Sequence, residues 1–447
     1  MRRVLVANRG EIAVRIIRAA HAAGLETVAV YSDADAQGRW VQLADTAVHI
    51  GKSAAAKSYL NSAALVEAAV STGADAVHPG YGFLSERPGA AKEFADAGLT
   101  FVGPAVSTIE MMGDKAAARD AAKRAGVPVV PGSGAVGDVD EALAAAEDVG
   151  YPVLVKAAAG GGGRGIRPVA SRDELAEVLP AAQAEARSAF SDDTVYLERA
   201  IDGARHIEVQ ILADHAGNVV HTFERDCSVQ RRRQKLIEEA PAPGLAAETR
   251  ASINDAAVRL ARQVGYVGAG TVEFLLTPSG EFFFIEMNTR IQVEHPISEA
   301  ITGVDLVSEQ LRIAAGEPVS FSQDEVQIRG AAVELRINAE DPDNRFQPTP
   351  GDLSRLDLPG GPGVRVDTGF VAGDRISPFY DSMIAKLICS GPDRDTAFAR
   401  GRQALAELRV EGVPTTVSMH RRLLDEPDLR AGAVHTKWLE ELLPDST

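Results

Sequence analysis

The run Glu286-Met-Asn-Thr-Arg-Ile-Gln-Val-Glu-His-Pro296 holds two carboxylates, an amide, a guanidinium and a glutamine directly after an apolar strand. Side chains alternate along an extended chain, so Glu286, Asn288, Arg290, Gln292 and Glu294 are expected on one side. Oxygen donors at its start suit a hard cation such as Mg²⁺, which keeps company with substrate phosphates. The guanidinium and amide that follow suit a small oxyanion. A further carboxylate, Glu273, precedes on what reads as the partner strand of a hairpin. If Leu276 pairs with Glu281 around the Thr-Pro-Ser-Gly turn, Glu286 faces Thr271 and Glu273 is its diagonal neighbour. Val272, Phe274, Phe283 and Ile285 then form the core face. Glutamates so placed are either a solvated pair or ligands of one cation. Like charges side by side need a counter-ion, and Asn288 adds a third donor, which favours the metal reading. Together these residues point to ATP-driven chemistry on an oxyanion.

A second set suits a nucleotide. Val153-Leu-Val-Lys156 reads as a buried strand ending in lysine, and Gly160-Gly-Gly-Gly-Arg-Gly165 follows. Glycines let backbone N–H groups approach phosphate oxygens, and a lysine adds a point charge. No G-K-[ST] follows, so this is not a Walker A loop, and a flexible linker is the alternative reading. Lys115, after Gly113-Asp114, reads as a second phosphate ligand or as a surface lysine. Gln230-Arg-Arg-Arg-Gln-Lys235 is a basic run partly cancelled by Glu238 and Glu239. It reads as an anion-binding edge more than as a nucleic-acid patch. Lys235 and Arg290 could jointly hold a carboxylate-like anion, the arginine through paired planar hydrogen bonds. His49, His215 and His420 read as structural. His78 lies in a glycine-rich turn at the carboxyl end of a strand, where open α/β sheets bind ligands.

These residues need elements to hold them. Short buried strands are expected over 4–7 and 27–31, with a helix over 11–23 between them that Gly24 stops. The pattern repeats at 74–78 and 99–102, giving a parallel α/β layer with a Rossmann-like rhythm. Asn8-Arg9-Gly10 offers one glycine where G-x-G-x-x-G is required, which argues against a dinucleotide there. Residues 127–134, rich in proline and glycine, read as a linker. Strands are expected over 152–157 and 194–200 around a helix over 172–187, then over 206–213 and 218–224. A helix over 247–265 precedes the hairpin 270–288, and a last section has strands over 331–338 and 382–389 and a helix over 396–408. The expected divisions are residues 1–113, 114–328 and 329–440.

Length and charge bound the rest. A chain of 447 residues is long enough for two or three domains. Asp plus Glu is 63 against 46 Lys plus Arg, a net charge of −17 that argues against binding nucleic acid or an anionic membrane. Cys227 and Cys389 are the two cysteines, without a C-x-x-C, which fits a reducing cytoplasm. The first residues lack a signal-peptide apolar region, and no stretch reads as a bilayer span.

The motifs Ala7-Asn-Arg-Gly-Glu-Ile-Ala13, His78-Pro-Gly-Tyr-Gly-Phe-Leu-Ser-Glu86, Met112-Gly-Asp-Lys115, the glycine run, Glu224-Arg-Asp-Cys-Ser228, Glu238-Glu-Ala-Pro-Ala-Pro243, Phe284 to Pro296 and Arg336-Ile-Asn-Ala-Glu-Asp341 together resemble biotin carboxylase, an ATP-grasp family. The resemblance spans about residues 3 to 440. It implies an N-terminal parallel α/β domain, an ATP-grasp domain with a mobile lid at about 129–201, and a C-terminal mixed β domain, an α/β and α+β architecture overall. It places Lys115, Lys156, Gly162, Gly163, Glu198, Arg199, Ala200, Ile201, His206, Gln230, Arg233, Glu273 and Glu286 around ATP. Glu273, Glu286 and Asn288 would hold Mg²⁺ or Mn²⁺. Lys235, Arg290, Gln292 and Val293 would hold bicarbonate, with Glu294 as the base that takes its proton. Tyr81 and Arg336 would meet biotin. The chain departs from the family pattern at Ala158 and Ala159, where serine and a first glycine are usual, and at Arg233, where histidine or asparagine is common.

The implied reaction is ATP-dependent carboxylation of biotin with bicarbonate through carboxyphosphate, the first half-reaction of an acetyl- or acyl-CoA carboxylase in fatty acid synthesis. No Ala-Met-Lys-Met segment occurs, so biotin is expected on a separate biotin carboxyl carrier protein, with separate carboxyltransferase subunits. The family suggests a homodimer. Two rivals stand beside this reading: another ATP-grasp ligase making an acyl phosphate for attack by an amine, and a catalytically silent protein that only binds ATP. Lys235, Glu273, Glu286, Arg290 and Glu294 weigh against the silent protein, since a binding module needs no bicarbonate base.

Overall fold

The computed structural model describes residues 1–158, 165–190 and 192–443. The chain opens with five parallel strands: β1 (Arg3–Val6), β2 (Glu26–Ser32), β3 (Thr46–Gly51), β4 (Ala76–His78) and β5 (Thr100–Phe101), in the order β3-β2-β1-β4-β5. The helix Gly10–Ala22 buries Ile12, Ile16 and Ile17, the face its spacing predicts. The order is that of a doubly wound sheet lacking its sixth strand, and the His78–Tyr81 turn lies at its carboxyl ends.

A small antiparallel sheet follows, with β6 (Gly132–Val136), β7 (Val153–Ala157), β8 (Ile166–Val169) and β9 (Val195–Arg199) in the order β6-β9-β7-β8. Helices Val139–Val149 and Arg172–Phe190 belong to this unit, and the first packs against both the second and the sheet. Its core is its own, built on Val153, Val155, Leu175, Leu179, Val195 and Leu197. The expected linker over 127–134 is partly strand, since β6 begins at Gly132. Pro128 is also tied down: its carbonyl accepts from the Phe284 N–H at 2.8 Å. Prolines hold this stretch extended, which is also what pairing requires.

The largest sheet has eight antiparallel strands: β10 (Arg205–Ala213), β11 (Val219–Arg231), β12 (Gln234–Ala240), β13 (Gly268–Leu276), β14 (Phe282–Asn288), β15 (Ala331–Asn338), β16 (Val364–Thr368) and β17 (Met383–Gly391). Their order is β14-β13-β10-β11-β12-β15-β17-β16, so one sheet runs through both later sections of the chain. The helix Ala247–Gln263 packs on Val209, Ile211, Val272 and Phe274, and the helix Arg394–Glu407 packs on Val333, Leu335 and Leu387. β11 runs well past residue 224, where the expected strand stops. The polar run Glu224 to Ser228 hid it. Its charges are buried in cross-strand pairs, Arg225 with Glu208 and Asp226 with Arg205. Among the described residues no helix is long and apolar enough to cross a membrane.

Candidate active site

The hairpin β13–β14 does not have the register its turn suggests. Leu276 pairs with Phe282, and residues 277–281 form the connection. A bulge then shifts the pairing, so that Glu273 lies directly opposite Glu286 and Thr271 opposite Asn288. The extra residue is Ile285, which is exposed, while Phe284 and Met287 join Val272 and Phe274 in the core and Phe283 lies off that face. Without the bulge, strict alternation from Phe284 would send Glu286 into the core. With it, Glu286 and Asn288 share the face of Glu273. Solvent reaches Glu286, yet surrounding protein and the Glu273 charge push its carboxyl up. A directly opposed acidic pair with the Asn288 amide beside it is the donor set a hard divalent ion would complete.

Extended alternation ends at Asn288. The chain then loops, and Glu294 immediately precedes the helix His295–Thr302. The loop still delivers its side chains to one place. Asn288 Nδ2 and Gln292 Nε2 donate to Glu273 Oε1 at 2.8 and 3.1 Å. Arg290 donates to Gln292 Oε1 at 2.8 Å and to Asn288 Oδ1 at 3.2 Å. Its Nε donates to Glu86 Oε2 at 3.0 Å, and Glu86 also accepts from the Thr289 N–H. Glu86 thus sets the guanidinium from the N-terminal section.

At the centre is Lys235. Its Nζ donates to Glu208 Oε2 and Glu294 Oε1, each at 2.6 Å, and to Glu273 Oε1 at 3.2 Å. Burial alone would lower its pKa, but the three carboxylates outweigh that and raise it well above the lysine range. Burial likewise would raise Glu294, yet Lys235, Arg336 and Arg225 hold its carboxyl well below the usual range. Glu294 is therefore a carboxylate at neutral pH. The Cys227 thiol lies 3.8 Å from Glu294 Oε1. Arg225, fully buried, donates to Glu208 Oε1 at 2.6 Å and to Gln210 and Ser298 at 2.9 Å. His206 Nε2 lies 3.0 Å from Glu273 Oε2; burial lowers its pKa, but the carboxylate wins and raises it.

On the nucleotide side, Lys156 pairs with Glu198, which also accepts from Arg119 at 2.9 Å. Lys115 opens the helix Lys115–Arg124. Partial burial and then Lys156 depress its pKa, with Arg233 acting the same way and Glu286 and Glu198 opposing. The four other charges therefore lie within electrostatic reach of Lys115. Arg199, Ala200 and Ile201 end β9 and lead to β10; the Arg199 and Ala200 N–H groups bond Pro131 and Pro152. Gln230 is buried opposite Lys235, and Arg232 and Arg233 form the exposed tip of the β11–β12 hairpin in left-handed backbone. The basic run is thus the end of a hairpin, with Arg231 and Lys235 on its two strands. Gly162, Gly163 and Ala159 lie outside the described residues.

On the other flank, Arg336 donates from Nε to Glu238 Oε1 at 2.6 Å and from Nη2 to Glu294 Oε2 at 2.9 Å. Burial opposes its charge, but Glu238, Glu294 and Glu334 raise its pKa. Tyr81 donates to Glu11 and feels the Arg336 charge. The buried Lys386 joins all three sections: its Nζ donates to the Val293 carbonyl at 2.9 Å and lies 3.0 Å from Glu11 Oε1. His78 is different. It is fully buried, its Nδ1 accepts from the Gly80 N–H at 3.1 Å, and burial lowers its pKa to about 3. It shapes the turn as a neutral ring.

Sequence reasoning missed Glu208, Arg225, Glu238, Glu86 and Lys386. For Glu208 a signal existed: it sits two residues after His206 on one strand, so alternation puts both on one face. The other four are set by pairing between distant segments, which no local spacing reveals.

Residues 1–109 match the biotin carboxylase N-terminal domain, 114–321 the ATP-binding domain of the carbamoyl-phosphate synthase L chain, and 334–441 the biotin carboxylase C-terminal domain. The chain is 53% identical to a protein named biotin carboxylase from Nostoc, over 98% of this chain and 99% of that one. It is 50% identical to a pyruvate carboxylase subunit from Methanothermobacter thermautotrophicus, over 98% of this chain and 89% of that protein. Among solved structures, the biotin carboxylase domain dimer of Hydrogenobacter thermophilus 2-oxoglutarate carboxylase superposes with a TM-score of 0.92 at 47% identity. That match covers 100% of this chain and 98% of the other, which was solved with MgADP, ADP and bicarbonate.

Proposed function

The chain belongs to the biotin carboxylase family, and from that premise we propose how its own residues carry out ATP-dependent carboxylation of biotin with bicarbonate. The observation that carries the reading is the buried cluster in which Lys235 meets Glu208, Glu273 and Glu294 while Arg290 and Arg336 flank it. A module that only binds ATP has no use for a buried, ionised carboxylate between a lysine and an arginine.

ATP lies against Lys115, Lys156, His206 and the β9–β10 connection. Glu273, Glu286 and Asn288 hold Mg²⁺ or Mn²⁺, which when bound neutralises phosphate charge during phosphoryl transfer. Lys235, Arg290, Gln292 and the Val293 backbone hold bicarbonate. As the anion engages Lys235, it competes with Glu294 for that ammonium, and Glu294 becomes more basic. Glu294 then takes the bicarbonate proton while a bicarbonate oxygen attacks the γ-phosphorus in line and ADP leaves. The carboxyphosphate so formed is prone to hydrolysis, so the 129–201 unit serves as a lid that excludes water. Its breakdown yields CO₂ and phosphate, the phosphate removes the ureido N–H proton of biotin, and Arg336 stabilises the oxygen anion that develops. Biotin enters beside Tyr81.

The acid finally carboxylated differs among relatives, whose names include pyruvate and 2-oxoglutarate carboxylases. We further propose that this chain serves an acetyl- or acyl-CoA carboxylase, with biotin carrier and carboxyltransferase on other polypeptides; what supports separate polypeptides is that several relatives matched over nearly their whole length are proteins named for the biotin carboxylase step alone. A homodimer is the proposed assembly, and the cytoplasm the proposed location. The decisive assay is ATP cleavage with bicarbonate, with and without free biotin. Stimulation by biotin is expected. Cleavage that needs an amine acceptor instead would assign the chain to another ligase.

A further inference from the structure

Two buried carboxyls stand beside Arg336 with too few partners. Glu238 on β12 and Glu334 on β15 are directly opposite in register, and both are fully buried. Such cross-strand neighbours have Cβ atoms about 5 Å apart. Glu238 Oε1 accepts from Arg336. Among the described residues, Glu238 Oε2 and both oxygens of Glu334 have no hydrogen-bond partner. A buried carboxylate without partners is costly. The cations facing this spot are committed: Arg336 to Glu238 and Glu294, Lys386 to Glu11 and the Val293 carbonyl, Lys235 to Glu208, Glu273 and Glu294. None of the three is left for Glu334. One hydrogen resolves the conflict, because a neutral Glu334 can donate to Glu238 Oε2 and leave Glu238 ionised against Arg336.

We propose that Glu334 and Glu238 share one proton, and that Glu334 is thereby a positioning residue that fixes the Glu238–Arg336 pair for biotin. The inference rests on the reading of Arg336 as the biotin arginine. It agrees with the electrostatics: burial pushes Glu334 well above the carboxylate range and Glu238 up to about 7, the neighbouring cations opposing in each case. As pH rises and the shared proton leaves, a second anion competes for Arg336, so biotin use falls on the alkaline side.

The test is infrared difference spectroscopy of wild type against Glu334→Gln at neutral pH, with pH profiles of kcat/KM for biotin. Wild type is expected to show the carbonyl stretch of a protonated carboxylic acid, and Glu334→Gln to lose it. Glu334→Ala, which leaves Glu238 Oε2 bare, is expected to lower kcat/KM for biotin roughly tenfold. Glu334→Gln keeps a permanent N–H donor, so it restores biotin use and removes the alkaline fall. Absence of the band in wild type overturns the shared proton. A band with unchanged kcat/KM for biotin in Glu334→Ala overturns the positioning role. Failure of the underlying assignment is distinguishable: Arg336→Ala would then use biotin normally while the band persists.

Discussion

Replacing Lys235 with methionine shortens the side chain by one atom and removes its charge. Its ammonium lies 2.6 Å from Glu208 and Glu294 and 3.2 Å from Glu273. Breaking a buried pair by removing one partner costs about 3–5 kcal/mol, because the other charge is left uncompensated. Each carboxylate here keeps a second partner: Arg225 for Glu208, His206 for Glu273 and Arg336 for Glu294. The low end, about 3 kcal/mol, is therefore expected. At about 3 kcal/mol per M of urea, the unfolding midpoint falls by about 1 M. The pH dependence has a definite sign. Glu294 and Glu273 are held below their unfolded pKa in the native protein, burial being outweighed chiefly by Lys235. That stabilisation is present above the unfolded value, about 4.3, and is lost as pH falls through the folded value. Lys235→Met forfeits most of it, so the deficit is full from pH 7 down to about 4.3 and narrows only below that, as pH falls toward the depressed folded values of the carboxylates. Urea unfolding followed by tryptophan fluorescence at neutral pH and below about pH 4.3 measures it. Equal midpoints at neutral pH, or a deficit of the same size throughout, would refute the account of Lys235 as the shared counter-ion.

Three further outcomes follow from the geometry. Glu294→Ala should lower bicarbonate-dependent ATP cleavage by about 10²–10⁴-fold while ATP binding by calorimetry persists; joint loss of binding and fold would remove the basis for its role as base. Arg336→Ala should lower kcat/KM for biotin by about 10²-fold or more with ATP binding little changed, and equal activity in variant and wild type rules the assignment out. Deleting Ile285 removes the bulge and leaves Glu286 next to Phe284 and still opposite Glu273, so ATP cleavage should be kept, as in Ile285→Gly. A deletion variant that folds but no longer cleaves ATP would end the bulge argument.

Much of the architecture was readable from period and punctuation. The strand over 331–338 has the expected bounds, and the helix Gly10–Ala22 lies within a residue of its expected limits. Misreadings cluster where polar residues are buried in pairs or where an extra residue enters a strand. The run from Glu224 to Ser228 looks like loop to any hydrophobicity argument, yet it is the interior of β11 because Glu208 and Arg205 neutralise it from the next strand. Ile285 is apolar and alternates correctly with Phe283, so pattern alone assigns it to the core. Only the competition between packing Phe284 and Met287 inward and keeping Glu286 out exposes it. The site's charged residues were legible as types, since a short sequence with this many is rarely accidental. Their partners were not, because pairing across strands depends on register.

That dependence also explains how one surface can serve two chemical steps. Read across the central sheet, the charged side chains follow strand order: Glu286 and Asn288 on β14, Glu273 on β13, His206 and Glu208 on β10, Arg225 on β11, Lys235 and Glu238 on β12, Glu334 and Arg336 on β15, Lys386 on β17. Neighbouring strands are about 4.8 Å apart, so the proposed metal end and the proposed biotin end are separated by several strand widths. The residue that spans the gap is Glu294, which comes from outside the sheet. One carboxylate oxygen meets Lys235, on the bicarbonate side, and the other meets Arg336, on the biotin side. A base held between both ends cannot change its charge without being felt at each. Proton uptake by Glu294 during phosphoryl transfer therefore loosens its grip on Arg336 at the stage when biotin needs that guanidinium. The coupling follows from two hydrogen bonds to one carboxylate and requires no movement of the sheet.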